Sequence, residues 1–353
     1  MYTRLLVIVL AAISMAAHGQ GGQTSKTPDG IIYTVYDMDE ILPATMKMLQ
    51  KRGRECMGYL LRKEYESLYN TMRPKEDNYG SRSDFMARLK SELAVLPETG
   101  MENVRLKNCK YVYFREPPKK GYSYSGTSEK GDQDYMNVSS VAGFKQQAVL
   151  LYEVKSYPFN YKVSLMLVTN DGGFGLRYIP DMFINSYFGR SSYDYLELSR
   201  TWKSEGDKLS AYLAALMAEQ LSVVLENRLI TREYIEARAV IDDFTLDDLG
   251  QLAVNGENIK IHNYHFKREK DQIIPVIAYI TNTDFSHEAA QIEMAKLITY
   301  LGKNHYAFLE VFSFLELLAL KEEPQQGQDP EYFQHIFSKH KVKTLLDQSK
   351  QAE

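Results

Sequence analysis

Two cysteines, Cys56 and Cys109, are too few for a disulfide scaffold or a cysteine-rich zinc site, which leaves the seven histidines to be searched for ligand spacing. The histidines do not fall into ligand spacing. His287-Glu288-Ala289-Ala290-Gln291 approaches the zinc-protease helix motif, but that chemistry needs a second histidine four residues on, and the position holds Gln291. His262 and His265 lie three apart on an expected strand, which sends them to opposite faces. His305, His335 and His340 are scattered surface candidates. No metal site and no cofactor is expected. Gly172-Gly173-Phe174-Gly175 is glycine-rich, yet no helix follows to make a phosphate cradle, so it reads as a hairpin turn. There is no Gly-x-Ser-x-Gly elbow. Asn137-Val138-Ser139 is a formal glycosylation sequon.

What remains is aromatic. Tyrosine occurs 26 times against a single tryptophan. Tyr111 and Tyr113 alternate on one expected strand and share a face, where a tyrosine pair offers an apolar wall with polar tips. Glu153 is the acidic residue placed inside an expected strand, and so the candidate base or binding carboxylate. Tyr111, Tyr113 and Glu153 form the candidate binding set; no catalytic residue is assigned.

The elements that must position them follow from periodicity. Residues 39–72 carry Leu49, Cys56, Leu60, Leu61, Leu68 and Met72 near helical spacing, with Gly53 and Gly58 weakening the middle. A second helix is expected over 85–96. Strands follow at 104–114, 144–157, 161–169 and 174–179, with a long polar loop at 116–135 and a turn at Asn170-Asp171-Gly172-Gly173. A joint at 180–190 leads into a helical hairpin over 193–204 and 208–225, and a third helix over 231–239. Strands at 259–266 and 273–280, a helix at 286–301 capped by Ser286, an apolar stretch at 307–320 of either type, and a last helix at 331–346 complete the chain. Cys56 lies beside the apolar stripe of the first helix, and Cys109 on a strand that helix should cover. The pair is either a disulfide, worth roughly 4 kcal/mol by loop entropy, or two buried thiols.

Composition is that of a globular protein, 44% hydrophobic and 25% charged, and the length suggests about two domains. The net charge of −4 gives no reason to expect a nucleic-acid partner. Charge is uneven: residues 45–180 carry +7 and residues 181–353 carry −9, which makes docking of the basic N-terminal domain on the acidic C-terminal region an expected contact. The first residues, MYTRLLVIVLAAISMAAHGQ, have the form of a secretory signal peptide, with cleavage between Gly19 and Gln20. The expected division is a signal peptide at 1–19, a flexible lead-in at 20–44, an α+β domain at 45–180, a helical hairpin region at 181–240 and a small α+β domain at 241–353. No later segment is apolar enough to span a bilayer.

Over residues 45–180, helices carrying Tyr65-Glu66-Ser67-Leu68-Tyr69, then another helix, then strands ending in Asn170-Asp171-Gly172-Gly173-Phe174, resemble the nuclear-transport-factor-2-like (cystatin-like cone) superfamily. The resemblance implies helices on a curved antiparallel sheet with a pocket between them; some members are isomerases or dehydratases, and many only bind or dimerise. The 116–135 loop departs from the simplest pattern. Trp202, Gly206, Ala211, Tyr212 and Ala215 make residues 193–225 look like one tetratricopeptide unit, which cannot bury its own faces alone. The fold class expected is therefore α+β throughout. The function expected is that of an exported, soluble, non-catalytic binding or protein-interaction protein, its partner an unknown small molecule or protein. The alternative is a small-molecule enzyme, isomerase- or hydrolase-like, using the cone pocket.

Overall fold

The structure is a computed structural model and describes residues 22–73, 81–94, 96–126, 136–222, 232–244, 249–325 and 329–352. The signal-peptide stretch with its Gly19/Gln20 junction, residues 74–80 and part of the long loop (127–135) lie outside the described residues. The fold is mixed α+β, with a curled antiparallel half-barrel sheet and a second, smaller sheet. The chain divides into two compact units, one running to Asn185 and one from Ser186 onward.

The first unit begins with a hairpin, β1 (Gln23–Lys26) and β2 (Ile32–Tyr36). Three helices follow: α1 (Pro43–Leu61), α2 (Tyr65–Asn70) and α3 (Arg82–Glu92). Pro43 starts α1, where its missing N–H costs nothing. Ser81 and Asp84 cap α3 reciprocally. Then come β3 (Val104–Phe114), the short pair β4 (Ser123–Gly126) and β5 (Met136–Ser139), β6 (Gln146–Val154), β7 (Phe159–Thr169), β8 (Gly175–Leu176) and β9 (Asp181–Tyr187). The main sheet runs β1-β2-β3-β6-β7-β9, with β8 also on β7. Register places Cys109, Leu150 and Leu165 in one row and Leu106, Tyr152 and Val163 in another, all on one face. Helix α1 lies on that face. A Cβ at Gly53 would meet the Tyr152 hydroxyl and come within 2.7 Å of Leu150 Cδ2, so only glycine permits the approach. The opposite face is also closed: Val112, Leu151 and Val168 are buried, and Gln147, itself fully buried, accepts from Val141 N and donates to the carbonyls of Val141 and Phe144.

The second unit opens where β9 turns through Phe188 and Gly189, both at positive φ, into β10 (Arg190–Ser191). Ser191 caps α4 (Ser192–Ser204), which pairs with α5 (Lys208–Leu221), and α6 (Arg232–Asp242) joins them. Gly206, at φ 86°, makes the tight turn between α4 and α5. Helix α5 is apolar nearly all round, with Leu209, Ala211, Leu213, Ala214, Ala215, Met217 and Ala218 buried. The sheet order is β11 (Gln251–Val254), β12 (Glu257–Glu269), β13 (Gln272–Ile280), β14 (Phe314–Leu320) and β15 (Tyr332–Ser338). β13 and β14 are parallel, and α7 (His287–Asn304) with α8 (Ala307–Val311) forms the crossover that parallel neighbours require. α9 (Lys339–Ala352) ends the chain and packs on α7. Phe312 joins the layers, stacked on Tyr195 with centroids 6.0 Å apart and 5.3 Å from Phe266.

Several elements differ from the sequence expectation. Residues 20–44 carry β1 and β2 rather than a flexible lead-in, because Ile32–Tyr36 alternates well enough to pair with β3. The 180–190 joint contains β9. The 307–320 stretch is both types in turn, a helix and then a strand. The final segment starts as a strand: Tyr332–Ser338 pairs with β14, and helix begins at Lys339.

Gly53→Ala is expected to destabilise the protein by about 1–3 kcal/mol despite alanine's better helix propensity, because the clash with Tyr152 and Leu150 is internal. Among the described residues the Tyr152 hydroxyl has no hydrogen-bond partner. Tyr152→Phe should therefore be close to neutral and should recover part of the loss in the double variant, as read by thermal denaturation. A second expectation concerns acid. Asp207 caps α5 through Ser210 N (3.1 Å) and meets His305 Nδ1 at 2.7 Å at the C-terminal end of α7. Burial raises its pKa, but the bonds from His305 and Ser210 outweigh that and hold it below the ordinary 3.8. The folded pKa is the lower one, so this stabilisation is present above the unfolded value and is lost as pH falls through the folded one. Asp207→Asn, which keeps the cap and removes the charge, should flatten the fall of stability below about pH 4 in denaturant titrations.

Candidate functional site

A cavity of about 420 Å³ lies within the second unit. It forms where α5, the end of α6 and the β11–β12 edge meet. Tyr212 comes from α5, Asp242 from α6, Phe244 from the segment that follows, and His262, Asn263 and Tyr264 from β12. The β12–β13 register slips between Ile261 and Asn263, so His262 is the extra residue of a β-bulge. His262, Asn263 and Tyr264, the residues at and after this bulge, all line the opening.

The walls are aromatic. The Tyr212 ring stands edge-on to Phe244 and to Tyr264, with centroids 5.5 Å away in both cases. Tyr264 donates its hydroxyl to Leu249 O at 2.8 Å, which fixes that wall. Burial raises the pKa of both tyrosines, so they stand as neutral phenols. Charged groups adjoin two of the lining residues: Asp242 bonds Arg238 at 3.0 Å, Arg238 also reaches Glu219 at 3.2 Å, and the Lys203 ammonium sits 5.3 Å from the Phe244 ring centroid. Asn263 Oδ1 lies 3.2 Å from His265 Nδ1. Such a set offers an aromatic surface for an apolar group to pack against, with polar side chains beside it to hydrogen-bond its edge. It holds no hydroxyl or thiol paired with a base among the described lining residues.

The residues expected from sequence do not assemble. Tyr111 is buried, packed 5.7 Å from Tyr36, and donates its hydroxyl to Gln146 Oε1 at 3.0 Å. Tyr113 is half-buried on the same face, with Lys145 Nζ 5.3 Å from its ring centroid. Glu153 is on the opposite face, because β6 alternates strictly between Ala148, which pairs with Tyr111, and Glu153, which pairs with Arg105; its carboxylate meets Lys107 Nζ at 3.4 Å. Two tyrosines engaged in the sheet and a carboxylate on its other side make no common pocket. The side chain of Gln291 lies 2.9 Å from His287 Nε2, and no group of three or more His, Cys, Asp or Glu placed to hold a metal ion occurs among the described residues.

No family model, curated protein or solved structure matches this chain. The site therefore stands on its geometry. His262 and Tyr212 are both visible in the sequence, but their juxtaposition depends on the bulge, and Ile261-His262-Asn263 reads as ordinary strand.

The cysteines are free thiols, both fully buried. Cys56 lies 3.7 Å from Thr71 Oγ1. Burial pushes the Cys56 thiol up to about 11 and the Cys109 thiol up to about 12. Of the two expected arrangements, the structure has the buried thiol pair. Neither sulfur is expected to react with dithiobis(nitrobenzoate) at pH 8 in the native protein, and two thiols per chain should titrate in denaturant without reductant. A denatured, unreduced protein that shows no thiol would establish the disulfide instead.

Proposed function

We propose that this chain is an exported, soluble binding protein without catalytic activity, and that its ligand is a small molecule seated in the Tyr212–Phe244–Tyr264 cavity. The carrying observation is that cavity: about 420 Å³, within the range of small-molecule sites, with aromatic walls from Tyr212, Phe244 and Tyr264 and the polar side chains of Asp242, His262 and Asn263 in its lining. Export rests on the form of residues 1–20. Membership of the cone superfamily, for the first unit, rests on the curled antiparallel sheet with helices and on the order of elements.

The packing of the first unit favours binding elsewhere over catalysis there. A cone-pocket enzyme needs a base inside the helix-covered face. That face is occupied by Cys109, Leu150, Tyr152 and Leu165 under α1, and Glu153 projects from the other side.

The test uses 1-anilinonaphthalene-8-sulfonate, a flat aromatic anion, as probe. The folded protein is expected to bind it saturably at one site, and Tyr212→Ala and Phe244→Ala are each expected to weaken it about tenfold. Unchanged affinity in both variants, with unchanged folding by circular dichroism, would remove the cavity from the proposal.

A further inference from the structure

β15 is the last strand of the second sheet, and its outer edge is built to pair. Two hydrogen bonds at its ends fix the direction of its backbone groups. Lys339 N donates to Ser313 O at 2.8 Å, and Lys321 N donates to Glu331 O at 3.1 Å. Both follow the β14–β15 register, in which Phe314 faces Ser338 and Leu320 faces Tyr332. In an antiparallel ladder, residues alternate between bonding the partner and pointing away. The odd-numbered residues of β15 therefore bond β14, and the N–H and C=O groups of Tyr332, Gln334 and Ile336 point outward, together with the N–H of Ser338, whose carbonyl opens α9. Tyr332 and Ile336 are exposed, at 50% and 37%. The strand YFQHIFS has no Lys, Arg, Asp or Glu, and no proline, which are the usual devices that protect an edge.

Charge flanks this neutral stretch asymmetrically. Asp329 and Glu331 precede it; Lys339 and Lys341 follow it. We propose that β15 pairs with β15 of a second copy of this chain, antiparallel about a two-fold axis at His335, making one sheet continuous across a dimer. That register makes Gln334 and Ile336 of the other copy a full hydrogen-bonded pair on each side of the axis, and brings the Ser338 N–H to the Tyr332 carbonyl at each end. It also sets Glu331 opposite Lys339 at both ends. A shift by one residue along each strand, with the axis at Gln334, faces Glu331 with Phe337 and loses the charge match. Antiparallel self-pairing brings each acidic flank to a basic one, adding Lys339 of the other copy to the Lys321 that already meets Glu331 at 2.9 Å within the chain.

The register predicts a specific cross-link. Residues at position 335 face each other as a non-hydrogen-bonded pair, with Cα atoms about 4.5 Å apart, which a disulfide can span. In His335→Cys protein exposed to air, a covalent dimer is expected. Ile292→Cys, also at an exposed position, on α7 (Ile292 is 53% exposed), serves as the control that should stay monomeric on the same timescale. By sedimentation equilibrium the unmodified protein is expected to reach twice the chain mass. Glu331→Lys or Lys339→Glu alone should weaken the dimer about tenfold, and a mixture of the two variants should restore it, since both ends then carry opposite charges. A monomer throughout the micromolar range would overturn the proposal. So would a dimer whose His335→Cys form cross-links no faster than the control, or one indifferent to both charge reversals. Cys56 and Cys109 are buried and do not compete for the cross-link.

Discussion

Both sheets have central strands buried on both faces, and that burial constrains everything packed around them. A polar side chain on such a strand cannot reach water, so it needs a partner inside the protein. In the first unit, Gln147 meets the requirement with three bonds to the loop at 141–144, and that loop is thereby held against the sheet. Lys110, also buried, pairs with Asp37 directly after β2, which ties the N-terminal hairpin to the sheet it extends. In the second unit, Glu316 in the middle of β14 is 2% exposed and is met by Lys267 from β12, across the intervening β13. His265 stands on the same face; its partial burial, together with Lys267, lowers its pKa, and Glu316 opposes this. Removing either member of the Lys267–Glu316 pair would strand the other beside apolar strands.

The apolar demand is met differently in the two units. In the first, a long helix comes close enough to touch strand side chains because position 53 has no Cβ. In the second, small side chains along α5 do the same work: Ser199 on α4 donates to Ala211 O at 2.7 Å, a contact that larger residues at this crossing would prevent. With both faces of α5 committed, Tyr212 is left at its border with β12, and the cavity forms there.

Much of the architecture was legible from periodicity. The strands at 104–114 and 273–280, the helical hairpin with its turn at Gly206, and Ser286 as the cap of α7 all follow from local pattern and turn chemistry. Other features were not. Tyr332–Ser338 followed by a polar helical stretch reads as one helix, because the neutral residues YFQHIFS fit either period and only pairing with β14 decides. The candidate site was least legible. Glu153 looked like a companion of Tyr111 and Tyr113, but strand parity puts it on the other face. The bulge at His262 is a property of the β12–β13 register, which no local run of residues encodes.

The pairing of β2 with β3 has a consequence for how the chain reaches this structure. Tyr33 faces Phe114, so about eighty residues of helix and loop must be in place between them. Loop-closure entropy rises only slowly with length, and the native state bears it easily. The order of events is another matter. The β1–β2 hairpin leaves the ribosome well before β3 exists, and a lone two-stranded hairpin is marginal in water. During that interval the first strands of the main sheet lack the neighbour they pair with and remain open to a holdase, and the sheet closes only when its third strand arrives.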